Sequence, residues 1–251
     1  MTGTAQRYAG RRAVVLGGTH GIGLAIAEAL VRDGAEVVVT GRDPDRARAA
    51  AAALGRAGTA LVSDVADAGD RAALADRAGA IDALFVNVGV AEDRPLAEVT
   101  EDFWDRQFDV NAKGAFFAAQ RLVPQVRRGG GIVFTTLMAS VAFPGGGVYA
   151  ATKAALRALA QTLAAELVAD GIRVATLAPG YVDTPTFGLA GATPSERDEL
   201  RRGGRALTPM GRLGTPDELA RAAIFLALEA TFTTGTELQV DGGLSGIAAT
   251  R

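Results

Sequence analysis

The sequence predicts a single α/β domain: a doubly wound, seven-stranded parallel sheet with helices on both faces. Three observations predict it. Short apolar runs of strand type alternate with longer Ala- and Leu-rich segments of helical spacing, which is the rhythm of a parallel sheet with crossover helices. The length of 251 residues suits one such domain. The 49% hydrophobic content, 22% charge and 32 glycines are typical of a globular protein with many tight turns.

Each element follows from its own local pattern. Apolar runs predict strands over residues 13–17, 35–40, 59–62, 81–86, 131–136, 172–177 and 237–240. Helical spacing predicts helices over residues 21–32, 44–54, 68–78, 101–128, 148–169 and 216–228. With no repeat or linker between them, residues 1–251 are expected to form one domain. Residues 184–214, rich in Pro, Gly and charge, are expected to form an irregular lid, because loops of that length are usually functional.

The composition excludes several classes of function. The absence of cysteine rules out disulfides and thiolate chemistry, and a single histidine, His20, argues against a multi-histidine metal site and a Ser-His-Asp hydrolase. A net charge of −2 without a dense basic stretch argues against nucleic-acid binding. No apolar run approaches the roughly 18 residues that a membrane-spanning helix needs. We therefore expect a cytoplasmic protein whose partner is a small molecule, with no metal and no membrane.

A glycine-rich turn directly follows the first predicted strand and opens the first helix. It runs Gly17-Gly18-Thr19-His20-Gly21-Ile22-Gly23. Glycines let backbone N–H groups approach a pyrophosphate, which the positive end of the helix dipole then stabilises. The turn therefore predicts a Rossmann-type dinucleotide site with Gly17, Thr19, His20, Gly21, Ile22 and Gly23 at the cofactor. His20 could approach a phosphate or could be a solvated loop residue.

The ends of the next strands extend this site. After the second strand the chain reads Thr40-Gly41-Arg42-Asp43, without the acidic residue at 41 that would bind an adenosine ribose. Arg42 could pair with a 2′-phosphate, which favours NADP(H) over NAD(H), while Asp43 could cap the next helix or reach the ribose. Asp64 could accept from adenine or could be a turn residue; Val65, Asn87 and Gly89 complete the expected contacts.

Tyr149 and Lys153 form the candidate catalytic pair. They are four positions apart on a segment of strong helix propensity, so both side chains share one helical face. A nearby ammonium favours phenolate over phenol, so we expect Lys153 to lower the pKa of Tyr149 and make it a general acid or base. Of the 26 basic residues only Lys113 and Lys153 are lysines, which indicates a need for an ammonium at 153. A surface pair one turn apart is the alternative.

With these residues in view, the chain resembles the short-chain dehydrogenase/reductase family over essentially its whole length. The resemblance rests on the glycine turn at 17–23, Asn87-Val88-Gly89, Asn111, Tyr149-x-x-x-Lys153, Pro179-Gly180 with Thr184, and Val240-Asp241-Gly242-Gly243. It implies reversible hydride transfer between a nicotinamide and a ketone or secondary alcohol. Tyr149 would protonate the carbonyl oxygen, Lys153 would depress its pKa and bind the ribose, and Asn111 would position a relay water. Pro179, Gly180, Val182 and Thr184 would contact the cofactor.

The fourth catalytic position departs from the family pattern. A Ser normally stands thirteen residues before the Tyr and donates a hydrogen bond to the substrate oxygen; here that residue is Thr136. A Thr hydroxyl can still donate, but its methyl group and stiffer χ1 crowd the pocket. Ser140 could substitute only with a rearranged loop. Leu16 and Val88 also depart from the usual Thr and Ala, without removing a reacting group.

These observations predict an NADP(H)-dependent carbonyl reductase or alcohol dehydrogenase. Two alternatives remain: a non-catalytic, cofactor-binding regulator that lost turnover through the change at Thr136, and an epimerase or dehydratase that uses bound cofactor. NAD(H) stays possible as the cofactor. By the family resemblance, helices 101–128 and 148–169 would pack against a neighbouring subunit, giving a homotetramer or homodimer.

Overall fold

A computed structural model describes residues 6–138, 143–185 and 193–247. Its centre is a seven-stranded sheet with the order β3-β2-β1-β4-β5-β6-β7, in which every pair is parallel. The strands are β1 (Arg12–Leu16), β2 (Glu36–Gly41), β3 (Gly58–Val62), β4 (Ile81–Val86), β5 (Val126–Thr135), β6 (Arg173–Pro179) and β7 (Glu237–Val240). The predicted doubly wound sheet is confirmed. The strand order reverses between β1 and β4, so a ligand crevice is expected beyond the carboxyl ends of these two strands.

Helices cover both faces of the sheet. They are α1 (Gly21–Arg32), α2 (Pro44–Leu54), α3 (Ala68–Ala78), α4 (Glu101–Phe108), α5 (Ala115–Leu122), α6 (Gly147–Leu167), α7 (Pro194–Leu207) and α8 (Pro216–Ile224). One apolar core lies between the sheet and helices α1 and α8, and includes Val15, Ile26, Phe85 and Leu219. The other lies under α5 and α6 and includes Leu84, Phe134 and Leu156.

Two predicted segments differ from the structure. The predicted helix 101–128 is interrupted by a π-helical turn at Asp109–Gly114 and ends in a short 3₁₀ turn at Val123–Gln125. Strand β5 begins at Val126, which pairs with Ile81 of β4, five residues earlier than predicted. Pro124 explains the early end of the helix, since proline cannot continue a helical hydrogen-bond ladder.

The predicted irregular lid contains helix α7. Thr193 caps its first turn and exchanges hydrogen bonds with Glu196, and Pro194 occupies the first helical position. This is a capping box with a pre-set φ at N1, which starts a helix despite a polar sequence. Because of the two glycines at 203 and 204, the sequence pattern did not predict this helix. Residues 186–192 of the predicted lid lie outside the described residues.

Among the described residues, no helix is long and apolar enough to cross a membrane. In the same ranges, no group of three or more His, Asp or Glu side chains is placed to hold a metal ion.

Candidate active site

The glycine-rich turn packs against the carboxyl end of β4 with no room for side chains. A Cβ on Gly23 would lie 2.2 Å from the carbonyl oxygen of Gly17, and one on Gly17 would lie 2.9 Å from the carbonyl oxygen of Asn87. Gly17 and Gly21 also have φ values of 73° and 57°, a region that residues with a Cβ rarely adopt. Ile22 faces inward and packs on the core beneath α1. The turn is therefore a bare backbone surface at the start of a helix.

The amino end of α1 has no side-chain cap. His20 occupies the N-cap position without making a capping hydrogen bond, whereas side chains cap α2, α3, α4, α7 and α8 among the described helices. Nδ1 of His20 is buried with no hydrogen-bond partner in the described residues. Burial lowers the pKa of His20, and the nearby Arg46 guanidinium lowers it further. Free helix amides and an unpaired buried imidazole atom fit a pyrophosphate ligand.

Position 41 at the end of β2 cannot hold an acidic side chain in this backbone. A Cβ on Gly41 would lie 2.3 Å from Oγ1 of Thr19, which is itself buried. Asp43 accepts hydrogen bonds from the backbone N–H groups of Asp45 and Arg46. It is therefore the N-cap of α2. Arg42 is exposed, and its Nη1 lies 3.9 Å from Oδ2 of Asp64. The residue that follows β2 therefore presents a guanidinium.

The ends of β3 and β4 form the floor beside the turn. Oδ1 of Asp64 accepts from the backbone N–H of Ala66, so Asp64 closes a turn while its other oxygen faces Arg42. Val65 is buried, and its carbonyl oxygen accepts from Arg71. Asn87 ties three elements together, because Nδ2 donates to the Gly17 carbonyl at 3.3 Å and Oδ1 accepts from Oγ1 of Thr135 at 2.9 Å.

Tyr149 and Lys153 lie in the first turns of α6, as their spacing predicts. Lys153 is 4% exposed, and Nζ donates to the carbonyl oxygens of Thr135 at 3.0 Å and Val88 at 3.3 Å. Nζ also lies 5.9 Å from the centre of the Tyr149 ring. A Cβ on Gly89 would lie 3.1 Å from Nζ, so glycine is needed there to admit the ammonium. The pair therefore stands over the carboxyl ends of β4 and β5.

The acidity of Tyr149 differs from the expectation. Burial raises its pKa to about 12, and the nearby carboxylate of Asp93 adds to the rise. Burial also lowers the pKa of Lys153 to about 8. The expected lowering by Lys153 does not appear in the protein alone, because the shift comes from burial and from Asp93, both of which disfavour the phenolate. Tyr149 is therefore a protonated phenol at neutral pH.

Asn111 lies in the π-helical turn and is fully buried. Its Oδ1 accepts from the N–H of Val90 at 2.7 Å, and its Nδ2 donates to the carbonyl oxygen of Val90 at 2.9 Å and to Oγ1 of Thr152 at 3.1 Å. Both amide protons are thus used inside the protein. The side chain clamps the loop after β4 to helix α6, one residue before Lys153.

The segment after β6 reaches back to the glycine turn. Pro179 ends β6 opposite Val240, and the N–H of Gly180 donates to the carbonyl oxygen of Val240. Val182 bridges to Gly214. Thr184 Cγ2 lies 3.5 Å from where a Cβ on Gly21 would stand. The start of the predicted lid therefore borders the turn.

The comparisons with known proteins agree with this geometry. A family model described as enoyl-(acyl carrier protein) reductase matches residues 17–245. The chain is 38% identical to a sorbitol dehydrogenase of Cereibacter sphaeroides, covering 94% of this chain and 98% of that protein. It is 39% identical to an L-fucose dehydrogenase of Oryctolagus cuniculus, with coverages of 94% and 86%. It is 34% identical to an NADP-dependent (R)-specific alcohol dehydrogenase of Lentilactobacillus kefiri, with coverages of 94% and 97%.

Solved structures extend the likeness to the fold. A short chain dehydrogenase/reductase family protein with 38% identity superposes with a TM-score of 0.86, covering 96% of this chain and all of that one. The chain belongs to the short-chain dehydrogenase/reductase family. A 3-ketoacyl-(acyl-carrier-protein) reductase from Brucella melitensis, solved with NADH, gives a TM-score of 0.85 at 29% identity, with coverages of 95% and 99%.

In this short-chain dehydrogenase/reductase the residue at the expected fourth catalytic position is hydrogen-bonded inside the protein. Thr136 is 2% exposed, and its Oγ1 lies 3.2 Å from the carbonyl oxygen of Leu177 and 3.1 Å from Oε1 of Glu237. The hydroxyl therefore has two acceptors inside the protein. Ser140, the alternative, lies outside the described residues.

Sequence reasoning missed three residues of this short-chain dehydrogenase/reductase site. Asp93 lies beside the turn before α6, and its Cβ is 3.3 Å from the point where a Cβ on Gly145 would stand. Only the folded chain brings Asp93 near Tyr149. Arg157 pairs with Glu237 under α6. The position of Arg157, four residues after Lys153, is a signal that could have placed it on the catalytic face.

Proposed function

We propose that the protein reduces a ketone to a secondary alcohol, and catalyses the reverse oxidation, with NADP(H) as hydride carrier and Tyr149 as general acid and base. As a short-chain dehydrogenase/reductase it is an oxidoreductase of alcohols and carbonyl compounds. NADP(H) and the role of Tyr149 are the proposed parts.

One observation carries the proposal: a protonated Tyr149 stands one helical turn from the buried Lys153 ammonium at the carboxyl ends of β4 and β5. With a pKa of about 12, the Tyr149 phenol holds its proton at neutral pH and can give it to a carbonyl oxygen that becomes an alkoxide. Lys153, with a pKa of about 8, is mostly protonated at pH 7. Its positive charge stabilises the phenolate that remains after the proton has left.

The residues described fit a dinucleotide. The bare turn at 17–23 and the uncapped start of α1 would receive the pyrophosphate. Two of the three Lys153 protons are bonded to carbonyl oxygens, and the third is available in the described structure to a ribose hydroxyl. When bound, the reduced nicotinamide supplies the hydride that the carbonyl carbon accepts.

The preference for NADP(H) rests on the end of β2. Thr19 fills the space that an acidic side chain at position 41 would need, and Arg42 offers a guanidinium for a 2′-phosphate. Arg46, which lies near His20, adds a second guanidinium to the same corner. Among the relatives, the alcohol dehydrogenase is NADP-dependent, whereas the Brucella reductase was solved with NADH.

The role of Tyr149 is tested by Tyr149→Phe, measured as NADPH oxidation with a panel of ketones that includes keto sugars. We expect a loss of at least about 100-fold in kcat, the lower range for one general acid. Tyr8→Phe is the matched control, because Tyr8 precedes β1, away from the carboxyl ends of the strands, and its hydroxyl donates to Glu229. Equal rates for Tyr149→Phe and the wild type would remove Tyr149 from the mechanism. Tight NADPH binding without turnover on any substrate would favour the regulatory alternative.

The cofactor is tested by binding alone. Arg42→Ala should weaken NADPH binding by about 10-fold or more, since a hydrogen bond to a charged group contributes about 1.5–3 kcal/mol. NADH binding should change by less than about 3-fold, because NADH lacks the 2′-phosphate. Arg48→Ala is the control, as Arg48 is exposed on α2 and pairs with Asp45. An equal effect of Arg42→Ala on both cofactors would overturn the assignment.

We further propose that the protein assembles through the outer faces of α4, α5 and α6. Trp104 stacks on Phe108 at 4.7 Å on this surface, and Trp104 and Phe117 remain 45% and 39% exposed. Exposed aromatic side chains of this kind are typical of subunit interfaces. Trp104→Asp should lower the molecular mass measured by light scattering to that of a smaller assembly. Leu96→Asp, in an exposed 3₁₀ turn, should leave the mass unchanged. An unchanged mass for Trp104→Asp would contradict assembly through this face.

A further inference from the structure

Glu237 is the centre of a polar cluster beneath the catalytic helix. Its Oε1 lies 2.6 Å from Nε of Arg157, 3.1 Å from Oγ1 of Thr136 and 3.4 Å from Oγ1 of Thr176. The Arg157 and Glu237 side chains are 23% and 17% exposed. One carboxylate oxygen at the start of β7 thus faces donors from α6, from β6 and from the residue that follows β5.

Arg157 connects this cluster to the catalytic residues. It lies four residues after Lys153, so both side chains leave the same face of α6. Its Nη2 donates to the carbonyl oxygen of Leu137 at 2.8 Å. Arg157 therefore holds the first residues beyond β5 against the helix that carries Tyr149.

The Thr136 hydroxyl belongs to the same cluster. A hydroxyl has one proton to donate, and both atoms near this one, the Leu177 carbonyl and the Glu237 carboxylate, are acceptors. Hydrogen bonds to an ionised acceptor are roughly twice as strong as those to a neutral one. A neutral substrate oxygen would have to compete with a carboxylate for this proton. The stiff χ1 of threonine also opposes turning the hydroxyl away.

We propose that Thr136 is a positioning residue, and that the Arg157–Glu237 pair, through Thr136 and Leu137, fixes the end of β5 against α6. Thr136 then gives no hydrogen bond to the substrate. The cluster instead fixes the position of the Thr135 carbonyl oxygen, to which Lys153 donates. It thereby fixes the position of the Lys153 ammonium beside Tyr149. This inference rests on the proposed function.

Two isosteric variants separate positioning from donation. Thr136→Val and Thr176→Val each remove one hydroxyl from Glu237 and keep the side-chain volume. If Thr136 only positions, each variant loosens Glu237, so both should lower kcat/KM by a similar and moderate factor of about 5- to 10-fold. Thr136→Ser, which keeps the hydroxyl, should stay within about 2-fold of the wild type. If Thr136 donates to the substrate, Thr136→Val alone should lose about 100-fold or more, the typical loss for one oxyanion donor. That result would overturn the proposal.

A kinetic split tests the carboxylate. Glu237→Gln should lower kcat by about 10-fold or more. The Kd for NADPH, measured by fluorescence, should rise by less than about 5-fold, because the change displaces only the Lys153 contact with the ribose and leaves the glycine turn in place. A change confined to the Kd, or no change in kcat, would contradict the positioning role.

A thermodynamic cycle tests the hydrogen bond without any turnover. Urea midpoints are measured for Thr136→Val, Glu237→Gln and the double variant. We expect the double variant to lose less than the sum of the two single losses, because both changes remove the same bond. Additive losses would overturn the proposal. Should no carbonyl substrate be reduced by the wild type, the proposed function fails and this cycle still decides the placement of Thr136.

Discussion

Replacing Lys153 with methionine removes a buried charge whose cost depends on pH. Lys153 is 4% exposed, and burial lowers its pKa from the usual 10.5 to about 8. Between these two pKa values the unfolded chain binds more protons at this site than the folded protein does. The free energy of unfolding of the wild type should therefore rise with pH across this window. Methionine has a similar length and no proton to lose.

The magnitude follows from the two pKa values. The linkage relation gives a cost of about 3 kcal/mol for the charged side chain at pH 7, and about 1.4 kcal/mol at pH 9.5. The difference in unfolding free energy between the wild type and Lys153→Met should thus change by about 2 kcal/mol over this range. In the variant the carbonyl oxygens of Val88 and Thr135 lose their donor. That loss displaces the whole curve by a constant amount and leaves its slope unaffected.

Urea unfolding at one protein concentration, without cofactor, at intervals between pH 7 and 9.5 measures this change. The control is Lys113→Met, which removes the other lysine of the chain, an exposed residue paired with Asp109. Its curve should run parallel to that of the wild type. Parallel curves for Lys153→Met and the wild type would refute the argument, since they would mean that Lys153 titrates alike in the folded and unfolded states.

Two further predictions concern the same site. Asp93→Asn should lower the pKa of Tyr149 below its value of about 12, because a negative charge that opposes the phenolate is removed. An ultraviolet difference titration of the phenolate measures this pKa, with Glu92→Gln as the control. An unchanged titration would contradict the influence of Asp93. Gly41→Ala should lower the free energy of unfolding by about 1–3 kcal/mol, since the new Cβ would stand 2.3 Å from Oγ1 of Thr19. A melting temperature equal to that of the wild type would show that the turn rearranges to admit the methyl group.

The sequence was sufficient for the sheet because the central strands, such as β1, β4 and β6, are buried on both faces, which leaves apolar runs between glycine turns. The errors have local causes. Helix α7 was missed because its stabilising feature is the Thr193–Glu196 capping box, not an apolar stripe. The early start of β5 was missed because Arg127, Arg128 and the three glycines that follow have no apolar pattern. The pairing with β4 is irregular between Val126 and Gly131.

The candidate site was predictable where residues are close in sequence. The Tyr149–Lys153 pair and the glycine turn each lie within a few residues. The acidity of Tyr149 was not predictable, because it depends on burial and on Asp93, more than fifty residues away. The partner of Thr136 lies on β7, two strands from β5 and 101 residues away along the chain, and no local pattern indicates that contact.

A crystal structure of the protein with NADP⁺ and an alcohol substrate is the most direct measurement of the central claim. We predict that the substrate oxygen lies within hydrogen-bond distance of the Tyr149 hydroxyl, with Thr136 still bonded to Glu237. A substrate oxygen bound elsewhere, with the Tyr149 hydroxyl out of reach, would contradict the account.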